Sequence, residues 1–291
     1  MTVVLQNDQL TIKINELGAE LVSVTRAGHE YMWNADPKHW KRHAPILFPI
    51  VGKLNQDQYR YQGQTHHMPQ HGFARDQPFQ VVSQVPDQAV FLLEANDETL
   101  QMYPFNFSLF VSYTLRHERV EVQLTVMNTS AADEQLRFAI GAHPGFQVPL
   151  TTAKQPATLT VTPAEPYREI QLGTDGLTTA EHETTEFEKP VAVTHALFQG
   201  DAKIIDVRLN PKTELTLQAA DQTWGVSVTG ELNDYFGIWS TYPTVSNFVC
   251  LEPWWGIADS ETVTGDLETK PGMRTLAAGA KKTFEYQLKF F

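Results

Sequence analysis

The sequence predicts an all-β protein, folded as a single two-sheet domain over residues 1–291. Short runs in which apolar and polar residues alternate recur along the chain, as expected of strands with one buried face. No helical period is sustained beyond one or two turns, and 17 glycines and 17 prolines punctuate the chain throughout. No Pro/Ser-rich linker, charge block or internal repeat divides it, so two packed sheets are the simplest architecture.

Leu10–Ile14, Glu20–Val24 and Ala89–Leu93 open the series of predicted strands. The clearest is Val120, Val122, Leu124 and Val126 interleaved with Glu121, Gln123 and Thr125. Phe107–Leu115 reads the same way, and Arg116-His117-Glu118-Arg119 between the two predicts an antiparallel hairpin. Leu136–Ile140, Ile204–Leu209, Glu214–Gln218, Trp224–Val228 and Phe284–Phe290 continue the pattern. The stretch 151–190, rich in Thr, Pro, Glu and Ala, reads as long loops with short strands.

With 42% hydrophobic and 19% charged residues, the chain can bury a core without staples. Its formal net charge of -12 disfavours nucleic acid and anionic membrane as partners, because both require a basic surface. The lone Cys250 rules out an intramolecular disulfide. The first residues, MTVVLQNDQL, lack the basic stretch and long apolar core of a signal peptide, so a cytoplasmic location is expected. No apolar run approaches the ~20 residues needed to span a bilayer.

Three segments place a titratable residue beside Gly, Pro or aromatic residues: His71-Gly-Phe-Ala-Arg75, Gly141-Ala-His-Pro-Gly-Phe146 and Cys250–Asp259. Glu252 lies in the otherwise apolar run Phe248–Pro253, where period two puts it on one face with Phe248 and Cys250. Burial there disfavours the ionised carboxylate and shifts it toward a useful pKa, unless the strand ends at Glu252 and the side chain reaches solvent. His143 follows a strand into a Gly/Pro turn, and histidine titrates nearest neutrality. A turn histidine bonded to a carbonyl fits the same pattern. His66, His67 and His71 invite a zinc reading, but Pro69 and Gly72 discourage the helix that this spacing needs, and no metal is expected. Trp254 and Trp255 are core residues or a face on which a sugar can stack.

In this order the segments resemble the aldose 1-epimerase (galactose mutarotase) family, most closely its LacX-like branch. The similarity runs from Leu17-Gly-Ala-Glu-Leu-Val-Ser-Val24 through Arg42, Leu47-Phe-Pro-Ile-Val-Gly52 and the three segments above to Gly279–Tyr286. Each motif alone is weak; their order over nearly the whole chain is specific. The resemblance implies a large antiparallel β-sandwich with an open cleft on one sheet, and mutarotation of an aldose without a cofactor. It implies His143 as general acid, Glu252 as general base, His71 as a second histidine near the sugar and Arg42 as a substrate-contacting arginine. Thr194 falls where galactose mutarotases carry a hydroxyl-binding aspartate, which puts galactose in doubt. Hexose-6-phosphate mutarotases share the His71–Arg75 motif and hold phosphate with arginines at positions resembling Arg42 and Arg75. Planar guanidinium groups suit that role. The expected partner is therefore a monosaccharide or a monosaccharide phosphate, with the chain a monomer or a homodimer.

Anomer exchange needs one group to take the C1 hydroxyl proton and another to protonate the ring oxygen. A free imidazole, with a pKa near ~6.5, is a poor standing acid at neutrality. Glu252 is expected to raise His143 and keep both charged. A non-catalytic sugar-binding module and a glycosidase, which needs two carboxylates, are the competing readings.

Overall fold

A computed structural model of the chain describes residues 1–131, 133–150 and 155–291. The predicted hairpin forms from Phe107–Arg116 and Arg119–Asn128, in register from Phe107↔Asn128 to Arg116↔Arg119. Val120, Val122, Leu124 and Val126 are fully buried, while Gln123 on the alternate face is exposed.

Among the described residues, most strands join two large sheets. The hairpin is central to a nine-stranded one, flanked by Lys281–Phe290 on one side and Gln88–Glu94 on the other. An eight-stranded sheet runs Thr178–Glu186, Pro166–Leu172, Lys203–Asp206, Tyr235–Trp239, Phe248–Trp255, Ile140–Ala142 and Ile46–Leu47, with Gly145–Gln147 also paired to Phe248–Trp255. Neighbouring strands in both are antiparallel. Leu124 and Val126 of the first sheet share one buried cluster with Phe236, Ile238, Val249 and Leu251 of the second, so the two sheets form a sandwich. The N-terminal strands Thr2–Gln6, Thr11–Asn15, Leu21–Arg26 and His29–Glu30 make a separate small sheet. No helix among the described residues is long and apolar enough to cross a membrane.

Two segments depart from expectation. Pro166–Leu172 and Thr178–Glu186 pair as a ribbon of seven and nine residues instead of short strands in loops. Glu181, His182, Glu183 and Thr184 are all exposed, so this edge strand has no apolar face to read and rests on backbone pairing. Thr151–Lys154 of the same stretch lie outside the described residues. Leu136–Ile140 breaks at Ala139: Leu136–Phe138 pairs with Arg274–Leu276, whereas Ile140–Ala142 enters the eight-stranded sheet. That switch delivers the chain to His143.

The strand Phe248–Trp255 positions the site. All eight residues are buried. Val249, Leu251 and Trp255 face the inter-sheet core, while Cys250 and Trp254 belong to small clusters on the opposite face. Glu252 lies between those clusters, so even positions carry the site and odd positions the core. Leu251→Ala is expected to destabilise the fold by about 2–5 kcal/mol. Gln123→Ala, on an exposed face, is expected to stay within about 0.5 kcal/mol. Urea denaturation followed by tryptophan fluorescence checks both.

Candidate active site

Glu252 does not end its strand: pairing continues to Trp255, and the residue is 1% exposed. Gly237 stands directly across from it on the neighbouring strand, and Gly141 stands across from Trp254 on the other side. A Cβ at Gly141 would lie 2.9 Å from Cδ1 of Trp254, and one at Gly237 would lie 2.8 Å from its Cζ2. Glycine on both neighbours lets the indole lie across the sheet beside Glu252.

His143 reaches Glu252 through a small excursion of the chain. Ile140–Ala142 pairs with the strand at Trp254–Trp255, and Gly145–Gln147 rejoins it at Cys250. Between them, the Pro144 carbonyl accepts the Leu251 N–H, and the His143 N–H donates to the Pro45 carbonyl. The result places His143 Nε2 3.1 Å from Glu252 Oε2. Aromatic rings enclose the imidazole: Trp40 at 4.9 Å, Trp239 at 5.5 Å and His71 at 5.6 Å between centroids. The segment carrying Trp40 is tied down by Glu20, whose carboxylate accepts the N–H groups of His43 and Ala44.

His71 sits at φ 66° and is stitched to Gly52 twice. Its N–H donates to the Gly52 carbonyl at 2.8 Å, and its Nδ1 accepts the Gly52 N–H at 3.1 Å. Nδ1 is therefore the acceptor nitrogen, and the neutral ring carries its proton on Nε2. The loop beyond Gly52 is braced by a buried ion pair. Lys270 donates to Asp259 at 2.9 Å and to the Ile257 carbonyl at 2.8 Å, and the Asp259 N–H donates to the Lys53 carbonyl.

These groups open into a cavity of about 350 Å³. His71, Arg75, His143, Glu252 and Trp254 line it, as the sequence suggests, together with Trp40, Gln70, Asp201 and Trp239, which sequence reasoning missed. Arg42 does not line it: its Nη2 lies 2.9 and 3.2 Å from the two oxygens of Asp76, with Arg75 Nε 3.8 Å from the same carboxylate. Thr194 is exposed and outside the cavity, because the 3-10 turn His195–Phe198 carries the chain onward before it faces the site. Asp201, at φ 71° just before the strand Lys203–Asp206, is the acidic residue that does face it. Nothing local distinguishes Asp201 from other turn aspartates. His66 stacks on Tyr59 at 5.1 Å while His71 faces His143, so the early histidines do not gather as ligands. One ligand atom each from His143, Cys250 and Glu252 does fall within 4.8 Å of the others.

Burial dominates the electrostatics. It raises Glu252 well above the usual carboxylate range, opposed by Trp254 and reinforced by Asp201. It lowers His143 to about 3, helped by Arg75 and Arg42, and it lowers His71 well below an ordinary histidine, helped by His143 and the same arginines. Arg75 falls to about 10, through burial and then Arg42, and stays charged at neutrality. Burial thus opposes charge on Glu252 and on both rings.

The sequence pattern of the aldose 1-epimerase family matches residues 1–274. The plasmid-encoded protein LacX of Lactococcus lactis subsp. lactis is 31% identical over 286 residues, covering 93% of each chain. A galactose mutarotase related enzyme from Lactobacillus acidophilus superposes with a TM-score of 0.96 at 36% identity, over 100% of this chain and 97% of that one. A galactose mutarotase-like protein from Lactobacillus casei ATCC 334 gives 0.93 at 32% identity, over 100% of both.

The ring nitrogens of His143 are expected to keep neutral chemical shifts from about pH 7.5 to about pH 5, on both sides of the ~6.5 of a free imidazole. Long-range ¹H–¹⁵N NMR measures this, and protonation of that ring near the free value would contradict the burial argument. Lys270→Met leaves Asp259 buried and unpaired, and it is expected to cost about 3–5 kcal/mol of stability in urea denaturation.

Proposed function

The chain belongs to the aldose 1-epimerase family, and on that premise we propose that it interconverts the α and β anomers of an unphosphorylated aldose by acid–base ring opening at His143 and Glu252. The observation that carries the reading is the 3.1 Å approach of His143 Nε2 to Glu252 Oε2 at the cavity wall. The Nδ1 of His143 is buried without a hydrogen-bonding partner in the protein. An acid and a base held at this distance beside a cavity suit a ligand that both gives and takes a proton.

Ring opening moves one proton off the C1 hydroxyl and puts one on the ring oxygen, so the protein needs one proton to give and one vacancy to fill. The neutral pair holds that proton on Glu252. Passing it across the gap to Nε2 makes a carboxylate and an imidazolium together, without exchange with solvent. Glu252 then takes the C1 hydroxyl proton while His143 protonates the ring oxygen, and the C1–O5 bond breaks to give the open aldehyde. Rotation about C1–C2 and the reverse transfers close the ring on the other face, returning the pair to its starting protonation. Around this step the Asp201 carboxylate at the cavity wall is an acceptor for a sugar hydroxyl.

Asp76 favours the unphosphorylated substrate. It already engages Arg42 and lies near Arg75, so a phosphate would have to displace or face a carboxylate. A purely sugar-binding module has no need of a buried acid beside a buried base, which favours catalysis on the same surface.

Two-dimensional exchange NMR of equilibrated glucose, galactose and their 6-phosphates tests the proposal. Enzyme-dependent exchange is expected for a free hexose and to be weaker for the phosphates. Glu252→Gln and His143→Asn are each expected to lower kcat by about 100- to 10,000-fold; undiminished exchange in both variants would overturn the assignment. The raised pKa of Glu252 sets the sign of the pH dependence. Activity is expected to fall as pH rises through that shifted value and Glu252 loses its proton, checked by the exchange rate as a function of pH.

A further inference from the structure

Cys250 takes no part in the reaction proposed above, yet it is fully buried on the strand face that carries Glu252, two residues away. A single ligand atom from each of His143, Cys250 and Glu252 lies within 4.8 Å of the other two, and all three side chains are buried. Imidazole, thiolate and carboxylate are the donors that zinc takes, and three protein ligands with a fourth position open is the arrangement of sites that exchange ligands. A second observation is independent of that spacing. His143 Nδ1 is buried without a hydrogen-bonding partner, whereas buried polar atoms are ordinarily bonded. His143 and Glu252 line the cavity, which supplies an entry path.

We propose that His143, Cys250 and Glu252 form a binding site for a thiophilic divalent cation, with Zn²⁺ best matched to the donor set, and that its occupation silences the acid–base pair. Only the second half of this rests on the mutarotase reading. Small side-chain rotations must bring the donors to about 2.0–2.3 Å from one ion. Binding releases the thiol and carboxyl protons to solvent, so affinity falls as pH is lowered. The ion then occupies the carboxylate oxygen and imidazole nitrogen that proton transfer requires, and it competes with sugar.

The chain has one cysteine, so it reports on itself. Cd²⁺ added to the metal-free full-length protein is expected to produce the ultraviolet sulfur-to-cadmium absorption at one equivalent, a signal only Cys250 can supply. Zn²⁺ is expected to displace the Cd²⁺, to stop anomer exchange at one equivalent and to be reversed by a chelator. Cys250→Ser is expected to lose the absorption and to bind Zn²⁺ at least about tenfold more weakly. The absence of the sulfur–cadmium absorption, Zn²⁺ affinity unchanged in Cys250→Ser, or exchange that persists with the site filled would each overturn the proposal. No exchange in the metal-free chain would defeat the mutarotase reading instead, and the absorption would still decide the metal site.

Discussion

Glu252 lies within a strand whose eight residues are all buried, between two small apolar clusters and opposite a glycine. Ionised there without compensation it would be costly, and the nearest cation candidate, His143, is itself buried. The environment opposes charge on both groups and holds them 3.1 Å apart. The excursion at His143, the Trp40 and Trp239 rings over it and the paired glycines under Trp254 all serve to keep that approach.

The second histidine follows the same logic from the other side of the cavity. His71 is fixed through two hydrogen bonds to Gly52, and the loop after Gly52 is held by the buried Lys270–Asp259 pair. A buried ion pair adds little stability over a well-packed apolar substitute, and its value lies more in fixing one geometry. Here that geometry lies just behind the ring facing His143. Asp259, assigned no role from the sequence, thus supports the site without entering it.

The fold was legible wherever one face of a strand meets the core. Val120 to Val126 alternate because half their side chains must leave water, and the register with Phe107–Arg116 follows from the two-residue turn. The edge ribbon Thr178–Glu186 was not legible, since solvent covers it and any polar residue would serve. In the site, His143, Glu252, His71, Arg75 and Trp254 stood out as titratable or aromatic residues beside Gly and Pro. Arg42 stood out equally, yet its guanidinium is taken up by Asp76, a pairing that depends on the fold.

The sequence by itself determined the all-β class, most strand positions and, through the order of its motifs, the family and a short list of candidate site residues. These are carried by local periodicity and by residue types that few other constraints would place there. Only the tertiary structure decided which of them meet. Trp40 and Asp201 come from segments distant in sequence and Trp239 from the neighbouring strand opposite Cys250, and no local pattern marks them as partners of His143 and Glu252. It also decided the direction in which each pKa moves, because desolvation depends on what encloses a group in space. Spacing pointed to a carboxylate that raises its histidine; enclosure pushes the histidine down and the carboxyl up.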